Sequence, residues 1–189
     1  MKRIYLAGPE VFLPNANELG LRKKQLCRDY GFEGLFPLDT EIRMGDDNEN
    51  LGFVISRANE GLIHDADIII ANLTPFRGAS ADVGTVYELG LARGLGKILL
   101  GYSNDPTPFT QRTFALFGDG PLHLHNPGEL HDRNGLKIEE FGLNDNLMID
   151  GGIHAASGEF LLHDATDSQR FTDLTAFERL LAQLKARSF

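Results

Sequence analysis

The chain has 189 residues, with 18 Lys plus Arg against 27 Asp plus Glu, for a formal net charge of −9. That balance argues against a grip on nucleic-acid polymers, which takes clustered cations to displace counterions, and against an anionic membrane surface. The length fits one domain with its own core, the 42% hydrophobic content argues against disorder, and the single cysteine excludes an internal disulfide and points to a reducing, cytoplasmic compartment.

Lys2 and Arg3 precede an apolar run that stops at Gly8-Pro9, too short for a signal h-region or a membrane span. Within it, Ile4-Tyr5-Leu6-Ala7 predicts a buried strand followed by a loop. Residues 15–30 carry a helical pattern, with Leu19, Leu26 and Tyr30 on one face and Arg22, Lys23 and Lys24 on the solvated one; Gly31 is the expected C-cap. A short strand around residues 34–36 closes at Pro37 and Asp39, and the Asp- and Asn-rich residues 41–50 read as a mobile loop. Ile55, Ala58 and Leu62 space out as a helix face. Asp67-Ile68-Ile69-Ile70-Ala71 is the clearest buried strand, because unbroken apolar runs fit parallel sheets.

A turn-rich loop over residues 72–81 leads into a helix from about Asp82 to Arg93, stopping at Gly94, and residues 97–100 predict the fourth strand. Residues 102–138 hold four of the eight prolines and no sustained period, and predict a long irregular excursion. Residues 156–163 read as a last strand, and Leu174, Phe177, Leu180, Leu181 and Leu184 as the apolar face of a C-terminal helix. The alternation predicts an α/β fold: a Rossmann-like, flavodoxin-like doubly wound parallel sheet of about five strands, with helices on both faces. Ligands in that architecture sit outside the carboxyl ends of the strands, so the loops after Ala7, Phe36, Ala71 and Leu100 are the ones to search.

The first of these loops, Gly8-Pro9-Glu10-Val11-Phe12, is no dinucleotide fingerprint, and the chain has no Walker lysine. The third leads into Asp82-Val83-Gly84-Thr85-Val86-Tyr87-Glu88-Leu89-Gly90, where two carboxylates flank a Gly-Thr pair at a helix start. Glycosidic-bond cleavage passes through an oxocarbenium-like state that a nearby carboxylate can stabilise or trap. The free N–H groups and macrodipole of a helix start favour the carboxylate form, and Gly84 lets a ligand approach the backbone. Positions six apart on a helix diverge by about 120°, so Asp82 and Glu88 converge only if Asp82 sits at the cap. The plainer alternative is that Asp82 only caps and Glu88 is a solvated helix residue.

These stretches resemble the nucleoside 2-deoxyribosyltransferase family. The residues that carry the resemblance are Ile4-Tyr5-Leu6-Ala7-Gly8-Pro9-Glu10-Val11-Phe12, Asn72-Leu73-Thr74-Pro75-Phe76-Arg77-Gly78, the 82–90 motif, and Phe141-Gly142-Leu143-Asn144-Asp145-Asn146-Leu147-Met148, in the family's order. The resemblance implies a single such domain over residues 1–189. It implies transfer of a 2-deoxyribosyl group between nucleobases by double displacement, with Glu88 as nucleophile and some hydrolysis to free base and deoxyribose. It matches Tyr5 to a tyrosine that orients the nucleophile, Asp82 to an aspartate that binds sugar hydroxyls, and Asn59 to a position near the base. Asn146 and Met148 match a pair donated by a neighbouring subunit, so a homodimer or larger homo-oligomer is implied. The implied partners are 2′-deoxynucleosides and free nucleobases, with no polymer and no membrane.

Each residue also has a structural reading. Tyr5 fits core packing, Phe12 either stacks on a base or fills its loop, Asn59 bonds locally, Met148 packs, and Arg77 either reaches a ligand or makes a surface ion pair. His123, His125 and His131 lie close together, but no Cys or closely spaced carboxylate completes a metal signature, so no metal and no cofactor is expected. His64 near a helix end suits the macrodipole, and Cys27 reads as a small buried filler. Two rival enzymes remain. A nucleotide N-hydrolase needs a phosphate site, which Gly8-Pro9-Glu10 does not offer, since Glu10 would repel phosphate. A lysine-decarboxylase-like phosphoribohydrolase needs paired glycines where this chain has Ala81-Asp82-Val83. A non-catalytic nucleoside-binding domain would have no need of Tyr5, Asp82 and Glu88 together.

Overall fold

The computed structural model describes residues 1–39, 50–120 and 129–187. Five strands, β1 (Arg3–Ala7), β2 (Glu33–Leu35), β3 (Ile68–Asn72), β4 (Ile98–Ser103) and β5 (Glu159–Leu162), form one sheet in the order β2-β1-β3-β4-β5. Every pairing is parallel, with Tyr5 opposite Ile69 and Ile69 opposite Leu99. This is the flavodoxin-like order, whose switch point lies between β1 and β3. The helices are α1 (Ala16–Tyr30), α2 (Leu51–Asp65), α3 (Val83–Gly94), α4 (Phe109–Phe117), α5 (Leu147–Ala155) and α6 (Thr175–Ala186). Among the described residues no helix is long and apolar enough to cross a membrane.

Strand alternation divides the core in two. Ile4, Leu6, Ile68, Ile70 and Leu100 face α1 and α6, meeting Leu19, Cys27, Phe177 and Leu181. Tyr5, Ala7, Ile69, Ala71 and Leu99 face the other way, meeting Ile63 of α2, Leu89 and Ala92 of α3, and Ile149 and Ile153 of α5. Both faces of β1 and β3 are therefore covered, which is why those strands read as unbroken apolar runs. Gly31 takes φ 91° at the end of α1, a left-handed cap that costs glycine little. Cys27 is buried and free, as a core filler should be.

Several expectations need correction. Lys23, assigned to the solvated face of α1, is fully buried, because an acceptor waits for it in the first loop. The excursion after residue 102 is not wholly irregular: β4 runs on to Ser103 and α4 spans nine residues between prolines and glycines. Helix α5 was not anticipated, because Gly151 and Gly152 interrupt its period. Residues 41–49 of the predicted loop, with His123 and His125, lie outside the described residues. His131 makes an isolated antiparallel bridge with Lys137, and no cluster of metal-ligating side chains occurs among the described residues.

Candidate active site

A cavity of about 300 Å³ opens at the carboxyl ends of β1 and β3. The loop after β1 supplies Gly8 and Phe12, the loop after β2 supplies Pro37 and Leu38, α2 supplies Asn59, and the start of α3 supplies Asp82, Gly84 and Glu88. Three of the four searched loops therefore meet, and the one after β4 does not line the cavity.

Asp82 is the N-cap of α3, and its Oδ2 accepts from the backbone N and the hydroxyl of Thr85 at 2.9 and 3.0 Å. The capping geometry needed for Asp82 and Glu88 to converge is thus present. Capping and cleft position are two properties of one residue, because the side chain caps with a single oxygen. Gly84 lies exposed in the first turn of α3, where an added Cβ would stand 3.1 Å from Asp82 Oδ2.

Glu88 sits one and a half turns along the same helix, on the side turned to the sheet. Its Oε1 accepts from the Tyr5 hydroxyl at 2.6 Å. Tyr5 has no exposed surface: its ring is core, as its structural reading expects, and its hydroxyl reaches Glu88 on the cleft wall. Burial first, and the negative charge of Asp82 in a smaller part, raise the Glu88 carboxyl to about 7 against the downward pull of the Tyr5 hydrogen bond. Burial first, and the Glu88 charge second, hold the Tyr5 phenol far above its ordinary range, so it serves only as a donor.

Phe12 is 54% exposed and stacks on Phe76, with ring centroids 5.3 Å apart and planes 12° from parallel. The Arg77 guanidinium lies over both rings, 4.7 Å from Phe76 and 5.3 Å from Phe12, a cation–π contact in place of the surface ion pair that was one of its two readings. Asn59 turns a buried Oδ1 that finds no partner among the described residues. Asn146 and Met148 stand apart. They line a second, apolar cavity of about 900 Å³ between α3 and α5, which shares no lining residue with the first. Asn146 caps α5, accepting from Met148 N at 3.0 Å, while Met148 is 74% exposed.

Two features gave no sequence signal. Glu10, expected to face a ligand, is fully buried; its Oε1 accepts from Lys23 at 2.9 Å and from Asn72 and Tyr102 at 3.0 Å each. An added Cβ on Gly8 would stand 1.8 Å from Glu10 Oε2, so glycine there is what seats this carboxylate. The second is a buried pair between Arg112 of α4 and Asp145. Asp145 lies inside a motif already singled out, but nothing in its spacing marks a partner 33 residues upstream.

The sequence model for nucleoside 2-deoxyribosyltransferases matches residues 4–148. The chain is 32% identical to a 2-desoxiribosyltransferase from Leishmania mexicana, with both chains covered in full and a TM-score of 0.64. It is 30% identical to the uncharacterized protein C191.05c of Schizosaccharomyces pombe, over 97% of this chain and 90% of that one. A conserved protein from Enterococcus faecalis V583 shares the fold at 18% identity, with 97% of this chain and 99% of that one covered and a TM-score of 0.56. The chain, with its five-stranded parallel sheet and helices on both faces, belongs to the nucleoside 2-deoxyribosyltransferase family of enzymes.

Proposed function

We propose that the chain moves a 2-deoxyribosyl group between nucleobases by double displacement at Glu88. The observation that carries this reading is the 2.6 Å hydrogen bond from Tyr5 to Glu88 beside Asp82, in a cleft at the switch point of the sheet. A Glu88 carboxylate oxygen forms an ester bond to C1′ of a 2′-deoxynucleoside, while the bond from C1′ to the base nitrogen breaks with its electron pair on the base. A second base attacks C1′ from the side just vacated, and the ester's electron pair returns to Glu88. Two inversions retain the anomeric configuration. Water in place of the second base gives deoxyribose.

Tyr5 holds the nucleophilic oxygen in one orientation. Asp82 spends Oδ2 on its cap and keeps Oδ1 for a sugar hydroxyl. Gly84 lets the sugar approach the helix start. Phe12 offers an aromatic face to the base, and the unpartnered Asn59 amide oxygen offers an acceptor to a base N–H. Asn146 and Met148, set in the other cavity, serve the cleft of a neighbouring copy in a homodimer or larger assembly. A neutral nucleoside with no phosphate suits an acidic chain, and no cofactor enters the reaction.

The test is to mix the protein with deoxyinosine and free adenine or cytosine, follow new deoxynucleoside by chromatography, and weigh acid-quenched protein. Wild type should form the new nucleoside and carry one deoxyribosyl mass on the peptide holding Glu88. Glu88→Gln should lose transfer by about 10³-fold or more, since it removes the covalent route. Transfer by Glu88→Gln at near wild-type rate overturns the mechanism, and free base alone reassigns the chain to hydrolysis.

A further inference from the structure

Arg112 and Asp145 are almost wholly buried, yet neither lines the cleft. Their charged groups stand 3.7 Å apart, and each spends most of its hydrogen-bonding capacity on backbone. Arg112 Nε donates to the carbonyl of Ala79 at 2.7 Å, Nη2 to that of Asn144 at 2.7 Å, and Nη1 to that of Thr107. Asp145 accepts from Ala81 N at 3.0 Å, from Asn146 N at 2.7 Å, and from the Ser80 hydroxyl. All three residues that precede Asp82 are therefore held by this pair, two through backbone and one through its side chain. The other ends of the same bonds hold the residues on either side of Asp145, just before α5.

We propose that the Arg112–Asp145 pair is a positioning device for the cleft, fixing the loop that presents Asp82 by tying it to the segment that opens α5. The proposal rests on the reading of Asp82 as the sugar-binding carboxylate. An N-cap residue points its side chain according to the backbone that enters the helix, and here that backbone has its Ala79 carbonyl and Ala81 N–H both committed to ionised partners. Hydrogen bonds to charged groups are shorter and stronger than neutral ones, and in a buried site water cannot replace them. Loss of that definition should be felt in the reaction, because small misplacements of a binding group are costly to rate. Helix α4, hidden among prolines and glycines, is the element that delivers Arg112.

The test is a double-mutant cycle on transfer, using Asp145→Asn, Asp82→Ala and the double variant, with folded fraction checked by circular dichroism at the assay temperature. Asp145→Asn should lower kcat/KM by about tenfold or more while the protein stays folded, and Asp82→Ala by a larger factor. The double variant should fall no more than about twofold below Asp82→Ala, because both changes remove the same contact. Losses that multiply, or wild-type kcat/KM for Asp145→Asn, overturn the proposal as a merely structural pair. Wild-type kcat/KM for Asp82→Ala instead overturns the reading of Asp82, and the proposal with it. Should Asp145→Asn fail to fold, Ser80→Ala removes one bond only; it should lower kcat/KM several-fold and show the same lack of additivity with Asp82→Ala, while multiplying losses would again count against the pair.

Discussion

Two glutamates lie near the carboxyl ends of adjacent strands and reach opposite states. Glu10, in the turn after β1, is closed off from solvent, and one of its oxygens takes donors from Lys23, Asn72 and Tyr102. Glu88, on the helix after β3, has the phenol of Tyr5 as its hydrogen-bond donor, a second carboxylate beside it, and an opening to the cleft. Three donors hold one oxygen of Glu10, and burial leaves neither oxygen a path to a substrate, Oε2 having no partner among the described residues. Burial raises the proton affinity of Glu88 despite the single phenol that donates to it, and its place on the cleft leaves it open to a ligand. What separates the structural carboxylate from the proposed nucleophile is burial and partners together, since both glutamates follow strands of the same sheet, one in a turn and one in the second turn of a helix.

The strongest way to break this contrast is to remove the cation. Lys23→Met leaves the Glu10 charge buried against two neutral donors, and its ring neighbours Tyr102 and Phe177 can pack a thioether. Removing one member of a buried pair typically costs about 3–5 kcal/mol, while replacing both is far milder. Urea unfolding of Lys23→Met should therefore show a loss of that size, and Glu10→Gln combined with Lys23→Met should recover most of it. A single variant as stable as wild type would mean that the pair does not hold the first loop.

The contrast also marks where the sequence was legible. The apolar runs of β1 and β3, the Gly31 cap and the Asp82–Glu88 motif are local signals, each carried by residues within one or two turns. They sufficed for the parallel sheet; the meeting of Tyr5 with Glu88 was implied only by the family resemblance, because spacing alone left Glu88 open as a solvated helix residue. The burial of Lys23 was not legible, because its acceptor lies in a loop rather than on a helix neighbour, and lysine at a helical spacing ordinarily reads as solvated. The helix carrying Arg112 was masked by Pro106 and Pro108 before it and Gly118 after it, and α5 by its paired glycines. The missing information in each case is a tertiary contact, which no periodicity encodes.

A smaller effect is expected on the reactive side. Tyr5→Phe keeps the buried ring and deletes only the hydroxyl on Glu88. That bond pulls the Glu88 carboxyl down, so its loss should raise the carboxyl above about 7. In the proposed mechanism the carboxylate is the reactive form, so activity should rise with pH through this value, and the acid limb of kcat/KM should sit near 7 in wild type and move to higher pH in Tyr5→Phe. At neutral pH the variant should be about 10- to 100-fold slower, combining a less ionised with a less well oriented nucleophile. An unmoved acid limb would show that the limb belongs to another group.

The smallest effect has the opposite sign to intuition. Glu88 holds its proton up to about 7 when folded, against the ordinary 4.5 of an unfolded chain. Between these values the folded state binds more protons than the unfolded one, so the Glu88 contribution to stability is fully present below pH 4.5 and is lost as pH rises through 7. Above that, the fold carries a desolvated carboxylate that Glu88→Gln does not. The Glu88→Gln variant should therefore be more stable than wild type at pH 8, by about 1–2 kcal/mol once residual solvent contact at the cleft is allowed for. The advantage should shrink to nothing near pH 4.5, as paired denaturant titrations at the two pH values would record. Glu10→Gln should do the reverse at pH 8, because it strips Lys23 of its countercharge. If both substitutions shifted stability in the same direction at pH 8, partner chemistry would no longer explain why one glutamate is locked and the other stands as the proposed nucleophile.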